Sequence, residues 1–319
     1  MQEPENMETF ERFMQRALHD PVRGYYARNI RGIGAKGDFT TAPQLSQAPP
    51  AAIAAWAARA LRQHRCRDLI EIGPGLGTLA SQVFQKLPWF TRLRTRLHLV
   101  ESSPALAARQ KETLGNKASY HTNLPGALAA CSGKAIIYSN ELVDAFPVRL
   151  FEKTQEGWQE IAIDKSAAHL RETLLPPAEL PPSSIFQLQH SLGQRVEIHE
   201  SYRLWMNSWL PLWKCGSMLT IDYGDTAEKL YTRQPKGSLR AYFLHQRLVG
   251  DAIYANPGMQ DITADVNFTD LADWTENQLQ SDEPTDLSDF IRPFLSASDT
   301  PMIDAAGHFR TLIQTRQAP

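Results

Sequence analysis

Three glycines alternate with other residues at the point where an apolar run gives way to a helical pattern. The segment Glu71-Ile72-Gly73-Pro74-Gly75-Leu76-Gly77 follows a predicted strand over 69–73 and precedes a predicted helix over 78–86. The first glycine permits a tight turn, the second lets backbone approach a ligand without a Cβ, and the third allows close helix–strand packing. Pro74 stiffens the turn through its fixed φ. The free N–H groups at the start of the helix, where Thr78 and Leu79 lie, suit a polar or anionic ligand.

Glu101 closes the next predicted strand, over 97–101, and is followed by Ser102. A carboxylate in that place can accept hydrogen bonds from both hydroxyls of a ribose. The glycine spacing is not GxGxxG, because position 78 is threonine. With Glu71 leading into the turn, the spacing favours S-adenosyl-L-methionine over a dinucleotide. Two other interpretations stay open: an ordinary strand–helix turn, and a Glu101 that only caps the following helix.

An acidic loop, Asn140-Glu141-Leu142-Val143-Asp144-Ala145-Phe146-Pro147, follows the predicted strand over 134–139. Ligands of open α/β sheets bind outside the carboxyl ends of the strands, so this loop is placed to face the reacting groups. Glu141 and Asp144 could hold a planar guanidinium through two charge-assisted hydrogen bonds. In the alternative interpretation Asp144 caps a turn and Glu141 is solvated.

Alternating short apolar runs and helical stretches begin at Asp68 and predict an α/β fold with a doubly wound parallel sheet. Residues 1–65 are predicted to form a helical cap with a glycine-punctuated loop over 24–43, and residues 66–319 the main domain. An insertion near 150–200 contains a hairpin over 148–163 and a proline-rich loop. The last predicted strand covers 239–244, and the acidic stretch 276–298 is assigned no core element.

Composition excludes several classes of protein. Hydrophobic residues make up 42% and charged residues 21%, as in a globular chain, and the formal charge of -2 gives no field directed at nucleic acid. A local basic patch is compatible with that balance. No run approaches 18 apolar residues, and the N-terminus resembles neither a signal nor a transit peptide. We therefore expect a cytoplasmic protein with no membrane span.

The cysteines, histidines and tryptophans predict no additional catalytic or metal site. Cys66, Cys131 and Cys215 form no CxxC pair, which favours buried free thiols over a disulfide framework or a zinc site. The histidines lack metal-ligand spacing and are interpreted as surface or packing residues. Trp205, Trp209 and Trp213 recur every fourth residue and predict one buried helical face.

Six segments together resemble the MidA family of methyltransferases, and they occur in family order. They are Gly37-Asp38-Phe39-Thr40-Thr41-Ala42-Pro43, the glycine turn through Leu79, Glu101-Ser102-Ser103-Pro104 with Gln110, Asn140 to Pro147, Ile221-Asp222-Tyr223-Gly224, and Pro257 to Phe268. Asn267 departs from the pattern, where aspartate is common, and family members usually have a longer C-terminal region.

The resemblance implies a class I methyltransferase fold (Rossmann-like), S-adenosyl-L-methionine as the cofactor and a partner protein as the substrate. Mitochondrial members of the family are complex I assembly factors that dimethylate an arginine of a partner subunit. Glu141 and Asp144, with Asn140, would then clamp the arginine and help accept its proton. The segment containing Gly37, Asp38, Phe39, Thr41 and Pro43 would close over the cofactor, with Phe39 against the sulfonium.

The function expected from the sequence is methyl transfer from S-adenosyl-L-methionine to arginine on a protein. The alternative is a non-catalytic assembly factor that uses the same fold as a binding platform. A nicotinamide dehydrogenase is disfavoured by the glycine spacing. Formation of a homodimer is left open by the residues.

Overall fold

The computed structural model describes residues 6–28, 46–166, 170–177, 179–296 and 306–317, and its elements are numbered here in chain order. The strands are β1 (Met7–Thr9), β2 (Asp68–Ile72), β3 (Arg96–Val100), β4 (Ala118–His121), β5 (Ile136–Asn140), β6 (Arg149–Thr154), β7 (Gly157–Asp164), β8 (Arg171–Leu175), β9 (Arg195–Ile198), β10 (Gly216–Asp225), β11 (Arg240–Phe243), β12 (Gln246–Leu248), β13 (Asp261–Thr263), β14 (Val266–Asn267), β15 (Gln280–Ser281), β16 (Thr285–Asp286) and β17 (Phe309–Arg316). The helices are α1 (Phe10–His19), α2 (Tyr25–Arg28), α3 (Ala48–Gln63), α4 (Thr78–Lys86), α5 (Trp89–Arg94), α6 (Pro104–Leu114), α7 (Leu124–Ala130), α8 (Glu200–Trp209), α9 (Ala227–Arg233), α10 (Phe268–Asp273) and α11 (Leu287–Ile291).

Two compact units divide the described residues. The sheet unit takes those within 40–142, 206–223 and 275–319, and the meander unit takes those within 1–39, 143–205 and 224–274. The predicted boundary between residues 65 and 66 lies inside the sheet unit. The N-terminal segment belongs to the meander unit because β1 pairs antiparallel with β7, with Glu8 opposite Ile163.

The sheet unit is built on a parallel sheet in the order β4-β3-β2-β5-β10. From β2 the chain adds β3 and β4 on one side, and later β5 and β10 on the other. The order therefore reverses between β2 and β5, the point where ligands bind in doubly wound sheets. All five residues of β2 are buried, as expected for a strand that is covered on both faces. The predicted α/β doubly wound sheet is confirmed.

The alanine-rich helix α3 provides much of the cover for that sheet. It begins at Ala48, and Pro49 and Pro50 lie in its first turn. Proline is tolerated there because those N–H groups have no partner within the helix. Ile53 and Trp56 of α3 pack into the same core cluster as the sheet residues of β2, β3, β5 and β10.

The C-terminal part of the chain completes the sheet, which corrects the prediction that the last strand covers 239–244. Strand β17 pairs antiparallel with β10 over eight residues, from Gly216–Arg316 to Tyr223–Phe309. The acidic stretch 276–298 also contributes to the core, since Leu287 and Ile291 of α11 are buried in the cluster that holds Phe309. Most residues of that stretch are polar, so its composition concealed an amphipathic element.

The meander unit contains two antiparallel sheets. One has the order β1-β7-β6-β9 with β8 paired to β7, and the other has the order β12-β11-β13. The hairpin predicted over 148–163 is confirmed as β6 and β7, which turn at Gln155-Glu156. Helix α1 begins after Thr9, whose hydroxyl accepts a hydrogen bond from the N–H of Arg12, and buries Phe10, Phe13, Met14, Ala17 and Leu18.

The tryptophan prediction is only partly right. Helix α8 ends at Trp209, since Pro211 cannot continue it, and Trp213 follows a short 3-10 turn. Trp209 and Trp213 are fully buried in the sheet unit. Trp205 lies in the meander unit, half-buried beside Phe146. Within the described residues, the helices are too short or too polar to cross a membrane.

Replacement of Phe309 by alanine should destabilise the protein by about 3–5 kcal/mol, because the ring is buried and stacks 3.9 Å from Tyr223. Phe90→Ala is the matched control, since that ring is 71% exposed and its loss should cost less than about 0.5 kcal/mol. Equilibrium denaturation in urea measures both. Equal effects of the two substitutions would contradict a core position for β17.

Candidate functional site

The glycine turn lies at the carboxyl end of β2, where the strand order reverses. Gly73, Gly75 and Gly77 all have positive φ, at 65°, 53° and 77°, a region that other residues adopt only with strain. A Cβ on Gly73 would come within 2.9 Å of Leu142, and one on Gly77 within 3.3 Å of Leu114. A Cβ on Gly75 would meet nothing within 4 Å. The second glycine therefore presents bare backbone to open space, the property that a bound cofactor requires.

Helix α6 holds the turn through two side-chain hydrogen bonds. The Gln110 amide donates to the carbonyl oxygen of Gly75 at 2.8 Å, and the Thr113 hydroxyl donates to that of Leu76 at 3.1 Å. Gln110 is fully buried, and its Oε1 has no hydrogen-bond partner among the described residues. An unsatisfied buried acceptor beside the glycine turn indicates a place for a ligand donor.

Glu101 directly follows β3 at the same edge of the sheet. Its N–H donates to the carbonyl of His121 at 2.9 Å, and its Oε1 accepts from the N–H of Ser103 at 2.8 Å. Burial raises the pKa of the carboxyl group, while the N–H groups of Ser103 and Ser102 and the side chain of Gln110 oppose the rise. The contact to Ser103 belongs to the capping interpretation, since Ser103 is the N-cap of α6. The ribose role of Glu101 stays a prediction.

Glu71 lies in β2 and faces inward rather than toward the turn. It is buried, and the Tyr138 hydroxyl donates to its Oε2 at 2.8 Å. Desolvation raises the pKa of Glu71 to about 8, and the bond from Tyr138 only partly offsets it. The carboxyl group is therefore protonated over much of the neutral range.

The loop after β5 is held by a buried aspartate. The Asp222 carboxylate, fully buried in β10, accepts from the N–H groups of Leu142 at 3.1 Å and Tyr223 at 2.9 Å. Glu141 has a positive φ of 52°, and its N–H donates to the carbonyl of Ile221 at 3.0 Å. The Asn140 amide donates to the Glu141 carboxylate at 2.9 Å. Both side chains are partly exposed at the carboxyl edge of the sheet.

Asp144 belongs to the meander unit, whereas Glu141 belongs to the sheet unit. Its buried carboxylate accepts from the Thr263 hydroxyl at 2.7 Å. Burial raises the pKa of Asp144, although the Thr263 hydroxyl and the charge of Arg240 oppose the rise. The predicted clamp of two carboxylates on one guanidinium stays a prediction.

The cofactor-covering segment falls outside the described residues. Gly37, Asp38, Phe39, Thr41 and Pro43 all lie between positions 29 and 45, and their predicted role stays a prediction. Thr78 and Leu79 form the first turn of α4, and Ser102 is exposed after Glu101. The other predicted cofactor residues, Gly73, Pro74, Gly75 and Gly77, form the turn itself.

The three cysteines are free and buried, as predicted. Cys131 nevertheless lies near Asp68 and His98, and the potential ligand atoms of these three residues fall within 4.8 Å of one another. Asp68 is already held by the Arg96 guanidinium through two bonds of 2.7 and 2.6 Å. Burial raises the pKa of the Cys131 thiol to about 12. We therefore describe this group as an ion-pair network rather than a metal site.

The contacts that Gln110 and Asp222 make could not be predicted from the amino-acid sequence. Both occur in segments that resemble the methyltransferase family, which was the only signal available. Each residue contacts a segment that is distant along the chain. Gln110 bonds the carbonyl of Gly75, and Asp222 bonds the N–H of Leu142.

Comparison with known proteins places this chain among methyltransferases. Residues 52–285, more than half of the chain, match the model of a family of S-adenosyl-L-methionine-dependent methyltransferases. The protein arginine methyltransferase NDUFAF7, mitochondrial, of Danio rerio is 28% identical over 314 residues, covering 88% of this chain and 71% of the relative. Its counterpart in Xenopus tropicalis is 29% identical over 297 residues, covering 82% of this chain and 65% of the relative.

Solved structures support the fold. A crystal structure from Burkholderia thailandensis with bound S-adenosyl-homocysteine aligns with a TM-score of 0.81 at 24% identity. The alignment covers 98% of this chain and 88% of that one. A native structure from the same organism aligns with a TM-score of 0.78.

Glu101→Ala should weaken binding of S-adenosyl-L-methionine roughly tenfold or more, since a hydrogen bond to a charged group is lost. Glu112→Ala is the matched control, because Glu112 lies on α6, is exposed and pairs with Arg109 on the same helix. Isothermal titration calorimetry measures both. Unchanged affinity in the Glu101 variant would remove this residue from the site.

Glu71→Gln should flatten the pH dependence of folding stability between about pH 4.5 and 8. The raised pKa means that the native state retains a proton that the unfolded state loses, so this group stabilises the fold below that window and its contribution falls as pH rises. The difference in unfolding free energy between the wild type and the variant should change by at most about 5 kcal/mol across the window. Urea denaturation at pH 5 and pH 8 measures it, and parallel curves would contradict the pKa shift.

Proposed function

This chain belongs to the S-adenosyl-L-methionine-dependent methyltransferase family whose model it matches, and we propose that it methylates arginine on a partner protein. Family membership confirms the predicted reaction class and cofactor. The arginine acceptor rests on the relatives, which are named protein arginine methyltransferase and align with 82–88% of this chain. The chain spans 65–71% of their length.

The cofactor site is formed within the sheet unit. The bare backbone at Gly75, the unsatisfied Gln110 oxygen and the Glu101 carboxylate fit a ligand with a nucleoside and polar substituents. When bound, S-adenosyl-L-methionine supplies a methyl group on a sulfonium that needs no further activation. The residues of the chain must then orient the acceptor and exclude water, and such positioning can contribute on the order of 7–11 kcal/mol.

Arginine is a demanding acceptor, because its guanidinium has a pKa above about 12 and is a poor nucleophile while protonated. As the nitrogen–carbon bond forms and the sulfur–carbon bond breaks, one nitrogen proton must leave. A carboxylate with a raised pKa is a better acceptor for that proton than an ordinary one. Asp144 has this property through burial.

The proposal predicts that Asp144→Asn lowers the rate of methylation by roughly 100-fold or more, with little change in affinity for S-adenosyl-L-methionine. Asn retains the acceptor for the Thr263 hydroxyl but cannot take a proton. The matched control is Asp164→Asn in the same unit, a partly exposed carboxylate whose local hydrogen bond from the N–H of Ser166 an asparagine oxygen can also accept. Incorporation of label from tritiated donor, together with calorimetric cofactor binding, separates catalysis from binding.

The acceptor itself is found by incubating the protein and tritiated donor with lysate from cells that lack it. Mass spectrometry of the labelled band should locate the methyl group on arginine, and changing that arginine to lysine should abolish labelling. Label on another residue type would overturn the arginine assignment but leave methyl transfer intact. Cofactor binding with no labelled product, in a protein that still binds a partner, would favour a non-catalytic platform.

A further inference from the structure

Helix α5 displays apolar side chains outward instead of burying them. Trp89 is 57% exposed, Phe90 71% and Leu93 67%, and α5 has no buried residue. The two aromatic rings lie 4.3 Å apart in a T-shaped arrangement, so they form one apolar projection. Scattered single apolar residues are common on surfaces, but a cluster that contains tryptophan indicates an interaction site.

The segments around α5 are strongly basic. From Arg59 to Arg96 the chain has eight arginines and lysines against two acids, Asp68 and Glu71, both of which are buried. Strand β3 brings part of this charge together, since the N–H of Arg96 donates to the carbonyl of Arg67 at 2.7 Å. We use the name aromatic–arginine face for Trp89, Phe90 and Leu93 with the cations that flank them along the chain or through this bond; its cations are Arg65, Arg67, Lys86, Arg92, Arg94 and Arg96.

Most of these cations have no ion-pair partner among the described residues. Arg96 pairs with Asp68 while its side chain stays 62% exposed, and Arg92 donates to the carbonyl oxygen of Gln85. For Arg65, Arg67, Lys86 and Arg94, the described part of the chain provides no ion-pair partner. The side chains of all four are exposed. The face therefore offers positive charge around an apolar centre.

We propose that the aromatic–arginine face binds the surface of an anionic lipid bilayer. Tryptophan and phenylalanine insert at the level of the headgroups, and flanking arginines bind lipid phosphates. Each basic side chain near an anionic surface adds to the attraction, and this effect depends on local and not net charge. The overall charge of -2 is therefore compatible with the proposal.

A bilayer explains the composition of the face better than a nucleic acid does. Bases could stack on Trp89, but a nucleic acid has no site for Leu93 or for a T-shaped pair whose ring faces are not parallel. The interfacial zone of a membrane accepts all three apolar side chains at once. Attachment there requires no spanning helix, because the side chains enter only the outer layer.

The test is sedimentation of the full chain with vesicles of phosphatidylcholine alone and of phosphatidylcholine with 30% phosphatidylserine. We expect binding only to the anionic vesicles, weakened by 0.5 M salt. Trp89→Ser/Phe90→Ser and Arg92→Gln/Arg94→Gln should each reduce the affinity roughly tenfold or more. The matched controls Leu192→Ser, 62% exposed, and Arg109→Gln, also exposed, should retain it.

All the variants should keep calorimetric affinity for S-adenosyl-L-methionine and the unfolding curve of the wild type, since α5 contributes no buried residue. No binding to anionic vesicles would overturn the proposal. So would an equal loss in the control variants, or vesicle binding that both double substitutions leave intact. Tight binding of single-stranded or duplex DNA without vesicle binding would assign the face to nucleic acid instead.

Discussion

The reversal of strand order between β2 and β5 is the constraint on which the rest of the sheet unit depends. Because all strands from β4 to β10 are parallel, the loops after β2, β3 and β5 open at the same edge. The glycine turn, Glu101 and Asn140 are distant in sequence but share that edge for this reason. The left-handed backbone of Gly73, Gly75 and Gly77 then makes the turn narrow enough for α4 and α6 to approach it.

Buried polar groups hold this edge in place. Asp222 accepts hydrogen bonds from the N–H of Leu142, in the loop after β5, and from the N–H of Tyr223 within β10. The Gln110 amide donates a hydrogen bond to the carbonyl of Gly75, while its Oε1 has no partner among the described residues. A buried polar group costs free energy unless it is paired, so these side chains fix the backbone in one arrangement. The site is thus positioned before any ligand binds.

The sequence predicted best the elements whose signal is local. β2, β3 and β5 are short segments rich in apolar residues beside segments of helical pattern, and each was placed within two residues of its observed bounds. The short apolar run over 309–313 was noticed but not predicted as the strand β17, because Arg310 and Thr311 interrupt it and Gln314 ends it; these three side chains pair with distant segments. The division into units was equally hidden, since it depends on the pairing of β1 with β7, about 150 residues away along the chain. Long-range pairing leaves little trace in local composition.

The distribution of charge on the surface also depends on the fold and not on local sequence alone. The acids of the segment from Arg59 to Arg96 are buried, Asp68 against Arg96 and Glu71 against Tyr138, and so contribute little to the field at the surface. Its cations stay outside because a guanidinium can be buried only with a paired anion. Folding therefore separates charges that are adjacent in sequence, and a nearly neutral chain acquires a basic face. The exposed Trp89 and Phe90 at the centre of that face are unfavourable in water alone, and their burial by a partner would recover the lost hydrophobic free energy.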